Sequence, residues 1–237
     1  MTSILAIETA TEQSSVALTE DGSLVFELSM RHGRDLSRNL IPAIQSCFNL
    51  SGRRIQSIDA IAASVGPGSF TGLRIGVTTA KTLAFALQIP TISVSTVHAL
   101  AMHASEDGLV ASVIDARRSE VFLGLFSRGA GELKRIAPDS LTPADQIGTV
   151  IRDMLASRAA EAKGEPTRTA VIVAGGGAWL QESLTPAANC ILIPAFPQAR
   201  DIARLGAAAI GRGEVEDPFE LCPVYLRRSY AEEKFAG

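Results

Sequence analysis

Cysteine is scarce. Cys47, Cys190 and Cys222 are the three in 237 residues, odd in number, far apart and without a CxxC pair. That excludes a disulfide framework and a cysteine-built zinc site, and it makes a reducing cytoplasm the expected home. No excess of positive charge is present either: 22 Lys plus Arg are scattered along a chain of net charge −3, with no basic stripe. Strong direct nucleic-acid binding by the chain alone is therefore not expected. The opening "MTSILAIETATEQ" lacks a basic region and carries Glu8 inside its short apolar run. It reads as neither a signal peptide nor a membrane span.

Two nucleotide motifs are missing as well. Gly66, Gly68 and Gly72 in "GPGSFTGLRIG" are followed by Arg74 and Ile75, not by the Lys and Ser or Thr of a P-loop. Thr71 stands where a dinucleotide fingerprint would place its third glycine. A phosphate cradle is thus the weaker reading of these glycines. A tight turn at Gly66-Pro67-Gly68, a cap from Ser69 or Thr71 and close packing of the following helix are favoured. Ser69 and Ser14 lack a G-x-S-x-G setting or an ordered His-Asp pair, so capping and turn roles are expected of them.

What is present is alternation of short strands and helices. "SILAIETA" and the two halves of "SSVALTEDGSLVFELSM", joined at Asp21-Gly22, predict three strands with a hairpin. A helix follows with Leu36, Leu40, Ala43, Ile44 and Cys47 on one face, Ile41 and Phe48 extending it, and Gly52 as its stop. "DAIAASV", a helix over "LRIGVTTAKTLAFALQ", the strand "TISVS" and a helix through "TVHALAMHA" complete an order β-β-β-α-β-α-β-α. That order predicts a ribonuclease-H-like lobe.

After Gly108 the pattern restarts with "LVASVIDARRSEVFLGLFSRG", a strand, a polar turn and a strand. Helix-like or strand-like runs follow at about 143–163, "AVIVAG", "AWLQESL", "CILI" and "ARDIARLGAAAIGRG". Each half opens on a strand ending in a carboxylate, Glu8 in one and Asp115 in the other. The expected fold is α/β, with two ribonuclease-H-like lobes in the actin-like and sugar-kinase (ASKHA) architecture and a shortened second lobe. The boundary is placed between 1–108 and 109–237, with the option that the last segment packs back on the first lobe.

"ILAIETAT", "VGPGSFTGLRIG", "AKTLAFALQIP", "SVSTVHALA", "DARRSEVF" and "PVYLR" together resemble the bacterial TsaB (YeaZ) family over essentially the whole chain. The resemblance implies a non-catalytic partner and activator of TsaD, the transferase that forms threonylcarbamoyladenosine beside the tRNA anticodon, in a complex with the ATPase TsaE. It also implies a homodimer when alone, tRNA reached only through the complex, no membrane association, no cofactor of its own and a possible nucleotide at the interface with TsaD. Where TsaD carries two metal-binding histidines, this sequence has Thr96 and Leu100, so no metal is expected. His98 and His103 are five apart and turn away from each other on a helix, and His32 reads as a turn or cap residue.

Candidate site residues fall into two groups. Glu8, Thr9, Asp115, Arg117, Gly175 and Gly176 are the possible polar lining of a cleft shared with TsaD. The glycines of "VAGGGAW" admit either a phosphate contact or a tight turn. An alternative function, a small ATP-binding phosphotransferase or ATPase, would use Glu8, Asp115 and the Gly175 region. The second group is a contact face: Gly72, Gly76, Ala80 and Ala84 form a small-residue stripe beside Lys81, joined by Leu36, Leu40, Ile41, Ile44 and Phe48. If that face is exposed, Ala80→Arg leaves the monomer folded and breaks pairing.

Overall fold

The computed structural model describes residues 2–31, 35–161, 170–176 and 190–227, apart from the side chains of 158–161. The expected helix "AWLQESL" and His32 lie outside the described residues. Two compact units divide the chain: the residues up to Ala99 together with those from Pro197 on, and Leu100–Phe196.

The first unit holds β1 (Ser3–Glu8), β2 (Gln13–Glu20), β3 (Ser23–Arg31), α1 (Leu36–Ser51), β4 (Ala60–Gly66), α2 (Phe70–Leu87), β5 (Thr91–Ser95) and α3 (Thr96–Ala101), which runs across its end. Its sheet order is β3-β2-β1-β4-β5, with β1 antiparallel to β2 and parallel to β4. The β2–β3 turn forms as the Asp-Gly pair predicts, with Asp21 and Gly22 both at positive φ. Gly52 ends α1 in the left-handed conformation. Strand β1 is buried along its whole length, because helices cover both faces of the sheet. Leu5, Ile7, Val16 and Leu18 pack under α1 and α2, while Ile4, Ala6, Ala17 and Ala62 pack under a helix from the far end of the chain.

The second unit holds β6 (Gly108–Arg117), β7 (Glu120–Gly129), β8 (Glu132–Pro143), α4 (Ile147–Glu161), β9 (Ala170–Gly175) and β10 (Cys190–Pro194). Its order, β8-β7-β6-β9-β10, repeats that of the first sheet strand for strand. Both halves are ribonuclease-H-like, as expected. Strand β8 is an addition that the periodicity did not reveal. It contains Pro138, carries Glu132, Lys134, Arg135 and Asp139, and pairs with β7 through two register shifts, as an edge strand can.

The C-terminal helix α5 (Ala199–Gly211) follows the second unit in sequence yet belongs to the first. Ile202, Ala203 and Ala209 join the core over β1, β4 and β5, and Gly206 lets the helix backbone close on Ala62. The first unit accordingly ends at Ala99, not at 108, and resumes at Pro197, because the small side chains of its sheet are matched by those of α5.

Candidate functional site

The glycine-rich stretch is a junction of three backbones. Ser69 N–H donates to Ala10 O at 2.7 Å, and Val224 N–H donates to Val65 O at 2.7 Å. A side chain at Gly72 would overlap the Thr9 carbonyl, one at Gly76 the Thr9 hydroxyl, one at Gly68 the Ala10 backbone and one at Gly66 the Val224 carbonyl. Glycine is needed here because the end of β1 and the C-terminal segment press on the start of α2. Ser69 caps that helix, its Oγ accepting from Gly72 N–H at 3.2 Å. The mechanical reading of the motif accounts for every one of these contacts.

That geometry corrects the expected contact face. Leu36, Leu40, Ile44 and Phe48 are core residues, as are Ala80 and Ala84, and Gly72 and Gly76 are buried under Thr9's contacts. The small-residue stripe is consumed by the lobe's own sheet, so Ala80→Arg would break the fold and not an interface. Of the residues named for this face, Ile41, 43% exposed, and the half-buried Lys81 reach the surface.

The outer side of α2 carries a different row: Phe70, Arg74, Thr78, Lys81 and Phe85, spaced four, four, three and four apart. The C-terminal segment runs alongside in the opposite direction. Phe219 meets Phe85 edge-on at 5.2 Å, Lys81 Nζ donates to Phe219 O at 3.0 Å, and Tyr225 stacks on Phe70 at 4.3 Å. The Arg74 guanidinium lies 4.0 Å above the Phe70 ring and donates to the Tyr225 hydroxyl at 3.3 Å. Leu221 anchors this strap in the core, while Phe85, Phe219, Val224 and Tyr225 remain exposed. Sequence reasoning marked "PVYLR" but missed Phe85 and Phe219 as contact residues, since an aromatic inside the apolar run "LAFAL" reads as core and one in an irregular segment gives no periodic signal.

Glu8 closes β1 with its carboxyl wholly buried. Its Oε1 accepts from Ala10 N–H at 2.6 Å, whereas Oε2 is among the buried atoms without a hydrogen-bond partner. Burial pushes the carboxyl up to about 7, against the opposing pull of the Ala10 N–H and the Ser64 hydroxyl. Thr9 is equally buried, wedged against Gly72 and Gly76. Neither residue offers an atom to solvent, so in this chain by itself Glu8 and Thr9 are interior residues and not the lining of a cleft.

Asp115 repeats the Glu8 clamp in the second unit. Its Oδ1 accepts from Arg117 N–H at 2.6 Å, and its Oδ2 pairs with the Arg117 guanidinium at 3.3 Å. Beyond it the β6–β7 hairpin turns through Arg117, Arg118 and Ser119, three consecutive non-glycine residues at φ 65°, 57° and 58°. Each such residue costs roughly 1 kcal/mol or more. Ser119 O accepts from Ala144 N–H at 2.9 Å, holding the tip. All three residues are exposed, the Arg117 side chain by 79%.

Gly175 pairs with Ile114 at the neighbouring end of β9, so Asp115 and the Gly175-Gly176 pair lie at adjacent strand ends. A side chain at Gly175 would crowd Leu100 and the Ala195 carbonyl, which supports the packing reading of that glycine. Gly177 lies outside the described residues. Thr96 and Leu100 are both fully buried, and among the described residues no group of three His, Cys, Asp or Glu side chains is placed to hold a metal ion.

The chain is 31% identical to the tRNA threonylcarbamoyladenosine biosynthesis protein TsaB of Escherichia coli, over 99% of this chain and 98% of that one. This is a TsaB-family chain. The Bacillus subtilis TsaB is 38% identical over 57% of this chain and 60% of that protein. YeaZ from Pseudomonas aeruginosa superimposes with a TM-score of 0.79 at 29% identity, covering 95% of this chain and all of that one. Residues 30–234 match the wider family described as TsaD, tRNA N6-adenosine threonylcarbamoyltransferase, so the TsaB chain belongs to that broader group as well. The two-lobed, actin-like architecture follows from the paired sheets and this superposition. No described helix is long and apolar enough to cross a membrane.

Proposed function

We propose that this protein is a non-catalytic subunit in the formation of threonylcarbamoyladenosine on tRNA. It pairs with TsaD and activates it, assembles with TsaE, works in the cytoplasm and reaches the modified tRNA within that complex. The observation that carries the reading is the end-to-end similarity to a protein named for this biosynthesis. The chemistry of the chain agrees: Leu100 offers no metal ligand, and the carboxyl that ends β1 is buried. It holds no cofactor of its own, and any nucleotide sits at the junction with TsaD.

The pairing face is the outer side of α1 and α2. Ile41 and Leu50 are exposed on α1, and Phe85, with the Phe219 that leans on it, is exposed at the end of α2. Alone, the chain uses this face to dimerise; with TsaD present, the related lobe of TsaD takes the place of the second copy. Reconstitution of tRNA modification with TsaD and TsaE, with and without this chain, tests the reading. Modification is expected to rise with the chain present at a constant supply of threonylcarbamoyl-AMP; equal rates overturn it. Ile41→Arg with Phe85→Glu is expected to weaken TsaD capture at least about tenfold while circular dichroism stays unchanged.

A further inference from the structure

The β6–β7 hairpin is built against its own stability. A turn of two residues between antiparallel strands, both at positive φ, is formed most easily by Asn-Gly, yet here Arg118 and Ser119 occupy it and Arg117 adds a third left-handed residue before it. Nothing about turning the chain calls for arginine at these positions. The conformation is imposed from outside, by the Asp115 carboxylate on the Arg117 N–H and by Ala144 N–H on the Ser119 carbonyl. Two neighbouring guanidinium groups are thereby presented at the surface at the end of strand β6, whose residues from Gly108 to Ile114 are buried. Strain kept where glycine would relieve it, together with preorganised cations, marks a recognition element.

We propose that this hairpin contacts a phosphodiester of the RNA substrate inside the assembled complex. Guanidinium forks match phosphate oxygens in geometry and charge, and rigid presentation lowers the entropy lost on contact. A chain of net charge −3 with scattered basic residues has no diffuse attraction for RNA, so any contact it makes must be local and built. The inference rests on the proposed function for the identity of the RNA.

The test replaces the turn by its relaxed sequence, Arg118→Asn with Ser119→Gly. The melting temperature of the isolated chain is expected to rise and capture of TsaD to stay at the wild-type level. Affinity of the complex for tRNA is expected to fall about three- to tenfold, and its salt dependence to lose about one phosphate contact. Arg118→Lys, which keeps the charge but not the fork, is expected to keep the salt dependence and to lose part of the affinity. Unchanged tRNA affinity and salt slope in the Asn-Gly variant overturn the proposal, as does a loss of TsaD capture, which would make the hairpin a protein contact. Should the wild-type complex not form or not modify tRNA, the functional reading fails by itself. The hairpin is then decided on the isolated chain by amide shifts during titration with a short RNA stem-loop. Shifts centred on residues 117–119, absent in the variant and absent with inorganic phosphate at equal concentration, are expected; no shift there overturns the proposal.

Discussion

The two lobes share one strand order and one local device, and they use it in opposite ways. In each, the strand that opens the sheet, β1 or β6, carries an acid at its end that accepts the backbone N–H two residues on, both at 2.6 Å. In the first lobe the acid is sealed in, its second oxygen is unpartnered and the segment after it is pinned beneath Gly68, Gly72 and Gly76. In the second the acid keeps 9% side-chain exposure, pairs with an exposed arginine and holds a left-handed hairpin in place. The same clamp thus locks an interior in one case and aims a surface turn in the other. Duplicated topology fixes where an acid can sit; what packs over it decides its chemistry.

Glycine substitutions break this comparison most sharply. Gly72→Ala drives a methyl group into the Thr9 carbonyl, whereas Gly148, near the start of α4, has open space around it. The first change is expected to destabilise the protein by about 4 kcal/mol, and Gly148→Ala to stabilise it by about 0.5 kcal/mol, both measured by chemical denaturation. Opposite signs are the point: two losses of similar size would mean that the second lobe is packed as tightly as the first.

A pH series separates the buried acid from the rest. Glu8 is at about 7 in the folded protein, above the value near 4.5 of an exposed glutamate, so the folded state holds a proton that the unfolded chain releases. Its contribution is fully present below pH 4.5 and is lost as the pH rises to about 7, on the order of 3 kcal/mol across that window. Glu8→Gln, which cannot ionise, is expected to flatten that part of the stability profile. A wild-type decline that survives the substitution would place its source elsewhere.

The smallest effect concerns a cap. Ser69→Ala removes the acceptor for Gly72 N–H and is expected to cost about 1 kcal/mol, read as a shift of the denaturation midpoint at constant slope.

Much of the architecture was legible in the residues. Alternation, the Asp-Gly turn and the Gly52 stop located the first lobe's strands and α1, and the repeated strand-end acid pointed to the duplication. Legibility stopped where partners are far apart in sequence. Gly76 and Ala80 look like a surface for a second helix because small residues at a spacing of four allow close approach, but the sequence does not say whose backbone approaches. Here it is Thr9, some seventy residues away and in the same lobe. Periodicity likewise cannot show that α5 returns to the first sheet, since its apolar face would fit any sheet of small residues. The arginine hairpin was marked as a charged turn; its left-handed strain is a backbone property that Arg-Arg-Ser does not announce.

The return of α5 has a consequence for how the protein is made. The second lobe is one continuous stretch, Leu100–Phe196, and every strand of its sheet has been synthesised before α5 begins. The first lobe, begun earlier, waits with one face of its sheet bare until Ile202 and Ala203 arrive, and its glycine junction stays open until Val224 does. Birth order and completion order are therefore reversed. During that interval the nascent chain exposes Ile4, Ala62 and Ile92, so a premature stop before Ala199 would leave a finished second lobe attached to an unfinished, aggregation-prone first one.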